Sequence, residues 1–315
     1  MVISVLGIIG YSSCEKSDII SEKNNTDSRV ENSKLLKDLS VFNNNLAYSG
    51  TETRGRWKNF LNIFLSDAEG ALKGAGTGSV LAAAGVVTTS GGAIIGAVVY
   101  GAIASLKASS DYYDTQCDIV VNHETNTIFC TTQLKDSTSS TTFDYSDICI
   151  TVLDYEEQNI VEDIDDNKYT LKTDVSSTIN LEEKYKNVGK KHNLVLGILQ
   201  GDIKLKQSIK TRASESKSAD FITSNELLNS FDMDIPEIKG EVEPEPTLPN
   251  VVMELFEQAI EKSPSTIEEV IYLVNNYLSI INNSNELTEN EKEAIKYGFA
   301  TAIYSFNYWD DSLSK

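Results

Sequence analysis

The chain has 315 residues and a formal net charge of −20, long enough for two modest domains with a real core. So acidic a balance excludes nucleic-acid binding, which rests on Lys and Arg neutralising phosphates, and general adhesion to anionic membrane surfaces. With two histidines, four cysteines and no close Cys pair, the common metal-site spacings are missing, and the sequence implies neither metal nor cofactor.

Residues 1–13 form an apolar segment that ends in Ser12 and Ser13 ahead of Cys14. The junction resembles the end of a bacterial lipoprotein signal peptide, whose Cys becomes the acylated first residue. Tyr11 stands where Leu is usual, and no Lys or Arg precedes Lys16, so an ordinary buried strand is the other reading. Residues 14–50, rich in Ser, Asn and charge, read as a disordered tether. Apolar segment, Cys and acidic tether together resemble the layout of Bacteroidetes surface lipoproteins. That implies lipidation at Cys14, membrane contact through the anchor and a place in the cell envelope, on the outer membrane or cell surface.

Residues 51–110 begin with an amphipathic stretch carrying Trp57, Phe60, Phe64 and Leu65 beside Arg54, Arg56 and Lys58, suited to a membrane interface or to a core. From Gly74 to Leu106 no residue is charged. Small residues recur every four positions, at Gly70, Gly74 and Gly78 and again at Gly92 and Gly96, which puts them in one stripe on a helix. The spacing predicts a glycine-zipper hairpin with arms over about 66–87 and 91–107, broken at TTSGG, with Val99 facing outward. Three readings stay open. The hairpin is packed inside protein, or one span crosses a membrane near 81–104, or residues 76–106 insert conditionally, as in pore-forming or bacteriocin-like proteins.

Residues 111–240 read as a mixed β/α region. The alternating segments around Cys117 and Cys130 predict an antiparallel pair in which those two cysteines face each other. A disulfide there and three buried thiols are equally open readings. Asp163, Asp165, Asn167 and Asp174 fall at calcium-loop spacing, but Lys168 stands where such a loop needs Gly, so the expectation is a solvated loop. Next comes a helix holding His192 and Asn193. The pair could polarise a substrate, but no Gly-x-Ser-x-Gly, Walker or His-Glu-x-x-His pattern accompanies it, which favours a structural His and a non-catalytic protein.

Residues 241–250, with three of the five prolines, read as a stiff linker. Residues 251–315 then predict three helices in an antiparallel bundle. Pro264 opens the second, and Thr288 with Glu291 forms a capping box on the third. The Val188, Gly189, His192, Asn193 and Leu196 pattern, the Gly-rich helical stretch and the ending Tyr304–Asp311 resemble uncharacterised Bacteroidetes secreted proteins. That resemblance implies architecture and location, not activity. The expected fold class is α+β, mainly helical: the hairpin, a small antiparallel β region and the C-terminal bundle.

Overall fold

The computed structural model describes residues 28–46, 55–83, 89–110, 179–200, 247–262, 264 and 266–313, together with the backbone of five short strands. Eight helices are found among the described residues: α1 Ser28–Asn32, α2 Lys34–Asn45, α3 Gly55–Ala83, α4 Thr89–Ser110, α5 Glu183–Leu199, α6 Leu248–Glu261, α7 Ile267–Asn283 and α8 Glu289–Leu313. All the described core side chains except Ile179, Leu181 and Leu287 stand on these helices. The α+β expectation is therefore corrected: the packed body is helical. The physical reason lies in α3, α4 and α8, long helices with enough apolar surface to enclose one another without a sheet layer.

The expected β region enters as backbone ladders only. Strands β1 Gln116–Asn122, β2 Thr127–Leu134 and β3 Ser137–Asp144 run antiparallel in that order, and β4 Val161–Glu162 pairs with β5 Lys204–Leu205. In the β1–β2 register Cys117 stands opposite Thr132, and Cys130 opposite Ile119. The direct Cys117–Cys130 pairing expected from the sequence is thus displaced by two positions. The turn expected over Asn122–Asn126 is shorter by one residue, since Asn122 pairs with Thr127 at the end of the ladder. The segment from Asp163 to Asp174 lies outside the described residues.

Helix α4 explains the second part of the uncharged run, from Ala93 to Leu106. Every residue from Ile95 to Ile103 is buried, so the helix has no solvent face on which a charge could sit. Val99, expected to point outward, has 0 % exposure. Helix α3 runs antiparallel to α4, and the two are closest at their glycines. A Cβ added to Gly74 would overlap the Gly96 carbonyl, and one added to Gly96 would overlap the Gly74 carbonyl. One on Gly70 would lie 2.6 Å from the Ala104 Cβ and 2.9 Å from the Tyr100 carbonyl oxygen. The surroundings of Gly78, Gly92 and Trp57 lie outside the described residues. Phe60 and Phe64, offered by the sequence as an interfacial face, are core instead: Phe60 meets Phe306 edge-on at 4.0 Å between ring centroids, and Phe64 meets Phe256 at 6.0 Å.

Two further expectations are corrected. Residues 28–45, placed in a disordered tether, are helical, because Leu35 and Leu39 fall on one face of α2 and are buried, and Ser33 caps it by accepting from the Leu36 N–H at 3.0 Å. The C-terminal helices do not form a bundle of their own. Helix α8 packs chiefly against α3, α5 and α4, because its small residues fit the hairpin: a Cβ on Gly298 would lie 2.7 Å from the Ala68 carbonyl oxygen. The capping box is as read, with Thr288 Oγ1 accepting from the Glu291 N–H at 3.2 Å and the Glu291 carboxylate accepting from the Thr288 N–H at 2.7 Å. Pro249, assigned to the linker, sits in the first turn of α6 behind the Thr247 cap, where its missing N–H costs nothing.

Candidate functional site

Helices α3, α4, α5 and α8 meet in a mostly apolar core that carries two stacked polar layers. In the first, His192 on α5 is completely buried, and its Nδ1 lies 3.1 Å from the Asn193 Oδ1. Asn193 Nδ2 donates to the Tyr304 carbonyl at 2.7 Å. A carbonyl only accepts, so the Asn193 amide is oriented with its NH2 toward Tyr304. Its Oδ1 then accepts from His192 Nδ1–H, and Nε2 carries the lone pair. Nε2 and the Thr301 hydroxyl are both buried with no hydrogen-bond partner. The two side chains converge on Gly101, where a Cβ would lie 2.8 Å from Thr301 Cγ2 and 3.2 Å from His192 Cδ2. Glycine is required there because α4 passes directly under both side chains.

The second layer lies one turn along α4 and α8. Ser105 and Ser305 are four residues beyond Gly101 and Thr301, and the same spacing on α3 separates Asp67 from Ala71. The Ser105 and Ser305 hydroxyls are 3.4 Å apart, and Ser105 Oγ accepts from Trp309 Nε1 at 2.9 Å. Asp67 is fully buried, and neither carboxyl oxygen makes a well-formed hydrogen bond. Desolvation pushes its carboxyl well above the usual range, only partly offset by the nearby Ser305 and Ser105 hydroxyls. Desolvation likewise lowers His192, to about 4, against the opposing pull of Asn193 and the Gly101 backbone. Both groups are therefore held toward their neutral forms, as expected where a charge would have no water.

The structure thus places His192 and Asn193 together, as the sequence suggested, but in the interior, where they bridge α5 to α8. The partners Thr301, Asp67, Ser105 and Ser305 were not singled out from the sequence. Asp67 left a signal: it continues the Phe60, Phe64 stripe at helical spacing, an acid on a face otherwise committed to the core. Chemically, the layers tie α5 to α8 through the Asn193–Tyr304 bond and α4 to α8 through the Ser105–Ser305 and Trp309–Ser105 bonds, while both Asp67 oxygens, His192 Nε2 and the Thr301 hydroxyl have no partner among the described residues. Among the described residues, no group of three or more His, Cys, Asp or Glu side chains is placed to hold a metal ion. Cys14 lies outside the described residues.

No family model, no curated protein and no solved structure matches the chain.

Proposed function

We propose that this protein is a non-catalytic, lipid-anchored protein of the bacterial cell envelope, with a helical body in a binding or structural role. The anchor rests on the Ser12-Ser13-Cys14 junction behind an apolar segment. The observation that carries the non-catalytic half is the enclosure of His192: its Nδ1 is committed to Asn193, its side chain is fully buried, and α4 and α8 pack over it at Gly101 and Thr301. A base so placed cannot reach a substrate in this conformation. The uncharged run also prompts a membrane-active reading, in which residues 76–106 insert into a bilayer. Against that reading, residues 95–103 of α4 are buried in the protein, where α5 and α8 pack on α4, and among the described residues no helix is long and apolar enough to cross a membrane.

Mass spectrometry of the mature protein, purified from membranes of a lipoprotein-processing bacterium, is expected to find a diacylated or triacylated Cys14 at the N-terminus. A Cys14→Ser variant should move from the membrane pellet to the carbonate-soluble fraction. An intact Met1 on the folded protein ends the anchor hypothesis. A Cys14→Ser protein that stays in the pellet and releases dye from vesicles supports insertion instead.

A further inference from the structure

Helices α1 and α2 are attached differently from the rest of the body. Their polar contacts to distant parts of the chain gather at two clasps. At the front, Glu286, in the loop between α7 and α8, accepts from Ser33 Oγ at 2.5 Å, from the Lys34 N–H at 2.9 Å and from the Leu35 N–H at 3.5 Å. A carboxylate from far along the chain thus occupies the positive end of α2. Beside it, the Arg29 guanidinium donates to both oxygens of Glu291, at 3.0 and 2.8 Å, and to the Glu286 carbonyl at 3.2 Å. At the rear, Asn43 Nδ2 donates to the Leu255 carbonyl at 2.7 Å, its Oδ1 accepts from Tyr277 OH at 2.8 Å, and its carbonyl accepts from Lys262 Nζ.

Apolar contact accompanies the clasps: Val30, Leu36 and Leu46 pack partly buried against the core. Leu35 and Leu39, one turn apart, are the buried apolar side chains of α2, and Phe42 is half-buried between Tyr272 and Tyr277. Two leucine anchors at helical spacing with a polar clamp at each end is how a groove recognises an amphipathic helix. The partners span 212 to 262 positions of sequence, yet the segment belongs to no layer of the four-helix core. Partial desolvation raises the carboxyls of Glu286 and Glu291, but the bonds from Ser33, Lys34 and Leu35 to the first, and from Arg29 and Thr288 to the second, outweigh it and hold both below the usual carboxylate range.

We infer that the face formed by α6, α7 and the Glu286 loop is a helix-recognition site, filled by the chain's own residues 28–46 as a latch that unfastens as a unit while the four-helix body stays folded. One consequence rests on the lipid-anchor reading. With Cys14 acylated, the latch lies between anchor and body, and releasing residues 28–45 adds up to ~60 Å of reach at about 3.4 Å per residue.

Hydrogen exchange of the full chain in solution, with no lipid present, tests the latch separately from the anchor. In the wild type, α2 amides should exchange faster than those of α4, through a local opening. Glu286→Ala is expected to speed α2 exchange roughly three- to thirty-fold, as for a lost helix cap, and to leave α4 unchanged. Leu39→Ala should give a larger acceleration over the same residues. If α2 and α4 exchange together in the wild type, or if either variant accelerates α4 as much as α2, the segment is an integral part of the fold and the latch is wrong. If Glu286→Ala leaves α2 exchange unchanged, the recognition site as described is also wrong.

Discussion

Gly96→Ala is expected to destabilise the protein by about 3 kcal/mol, at the upper end of what overpacking usually costs, whereas Gly76→Ala stabilises it by about 0.5–1 kcal/mol. The two glycines lie on the same hairpin and have the same intrinsic preference in a helix. They differ in what a methyl group would meet. At Gly76 nothing lies within 4 Å, so alanine simply removes a backbone-entropy penalty. At Gly96 the obstacle is the Gly74 carbonyl, which is backbone and cannot swing aside as a side chain would. Relief requires α3 and α4 to separate, and every helix packed on them must then readjust. Urea denaturation of the two variants against wild type is the measurement. A Gly96→Ala protein as stable as wild type would show that the arms have room to part, and the close approach would lose its structural meaning.

The second expected result concerns pH. Relative to a His192→Gln variant, the wild type should lose about 3 kcal/mol of stability between pH 7 and pH 4. The sign follows from the direction of the shift. Burial lowers His192 from 6.5 to about 4, so between those values the unfolded chain binds a proton that the folded chain does not. Stability is fully present above pH 6.5 and is lost as pH falls through the window, at roughly 1.4 kcal/mol per pH unit. Asp67 acts in the opposite sense. Its carboxyl is raised by burial, so the folded chain holds a proton that the unfolded chain releases, and stability drops as pH rises above the usual carboxylate range. An Asp67→Asn variant should therefore gain on the wild type as pH increases from 4. Denaturant midpoints for the three proteins at pH 4, 5, 6 and 7 separate the two contributions. Parallel curves for wild type and His192→Gln would mean that His192 reaches water, and the enclosed polar layer would be misread.

These two results bear on function through one structural fact, the closure of the four-helix interior.

Much of the helical skeleton was legible along the chain. The four-residue glycine spacing marked both arms of the hairpin, since that interval returns to one face of a helix whatever the helix packs against. The Thr288–Glu291 box fixed the start of α8 because capping is settled within one turn. The apolar stripe Ile267, Val270, Ile271, Val274, Tyr277, Leu278 and Ile281 marked the inner face of α7: the last six are buried and Ile267 is partly buried. Each of these signals depends on residues within a few positions of one another, so local physics suffices to read it.

What covers each face was decided only in three dimensions. From sequence the apolar part of α4 fits lipid or protein equally well, because hydrophobicity specifies removal from water and not the identity of the cover; in the fold, α5 and α8 pack on it. Asp67 and His192 lie 125 positions apart, and only the antiparallel approach of α3 to α4, with α8 alongside, brings their polar layers within one helical turn of each other. The polar composition of residues 14–50 suggested disorder, yet Leu35, Leu39 and Asn43 find partners beyond position 250. Sequence by itself marked the glycine arms, the start of α8 and the inner face of α7, but not that residues 28–45 are helical or that Val99 is buried. Tertiary structure decided which faces meet, because contact energies between distant segments appear only after the chain has met the entropy cost of bringing them together.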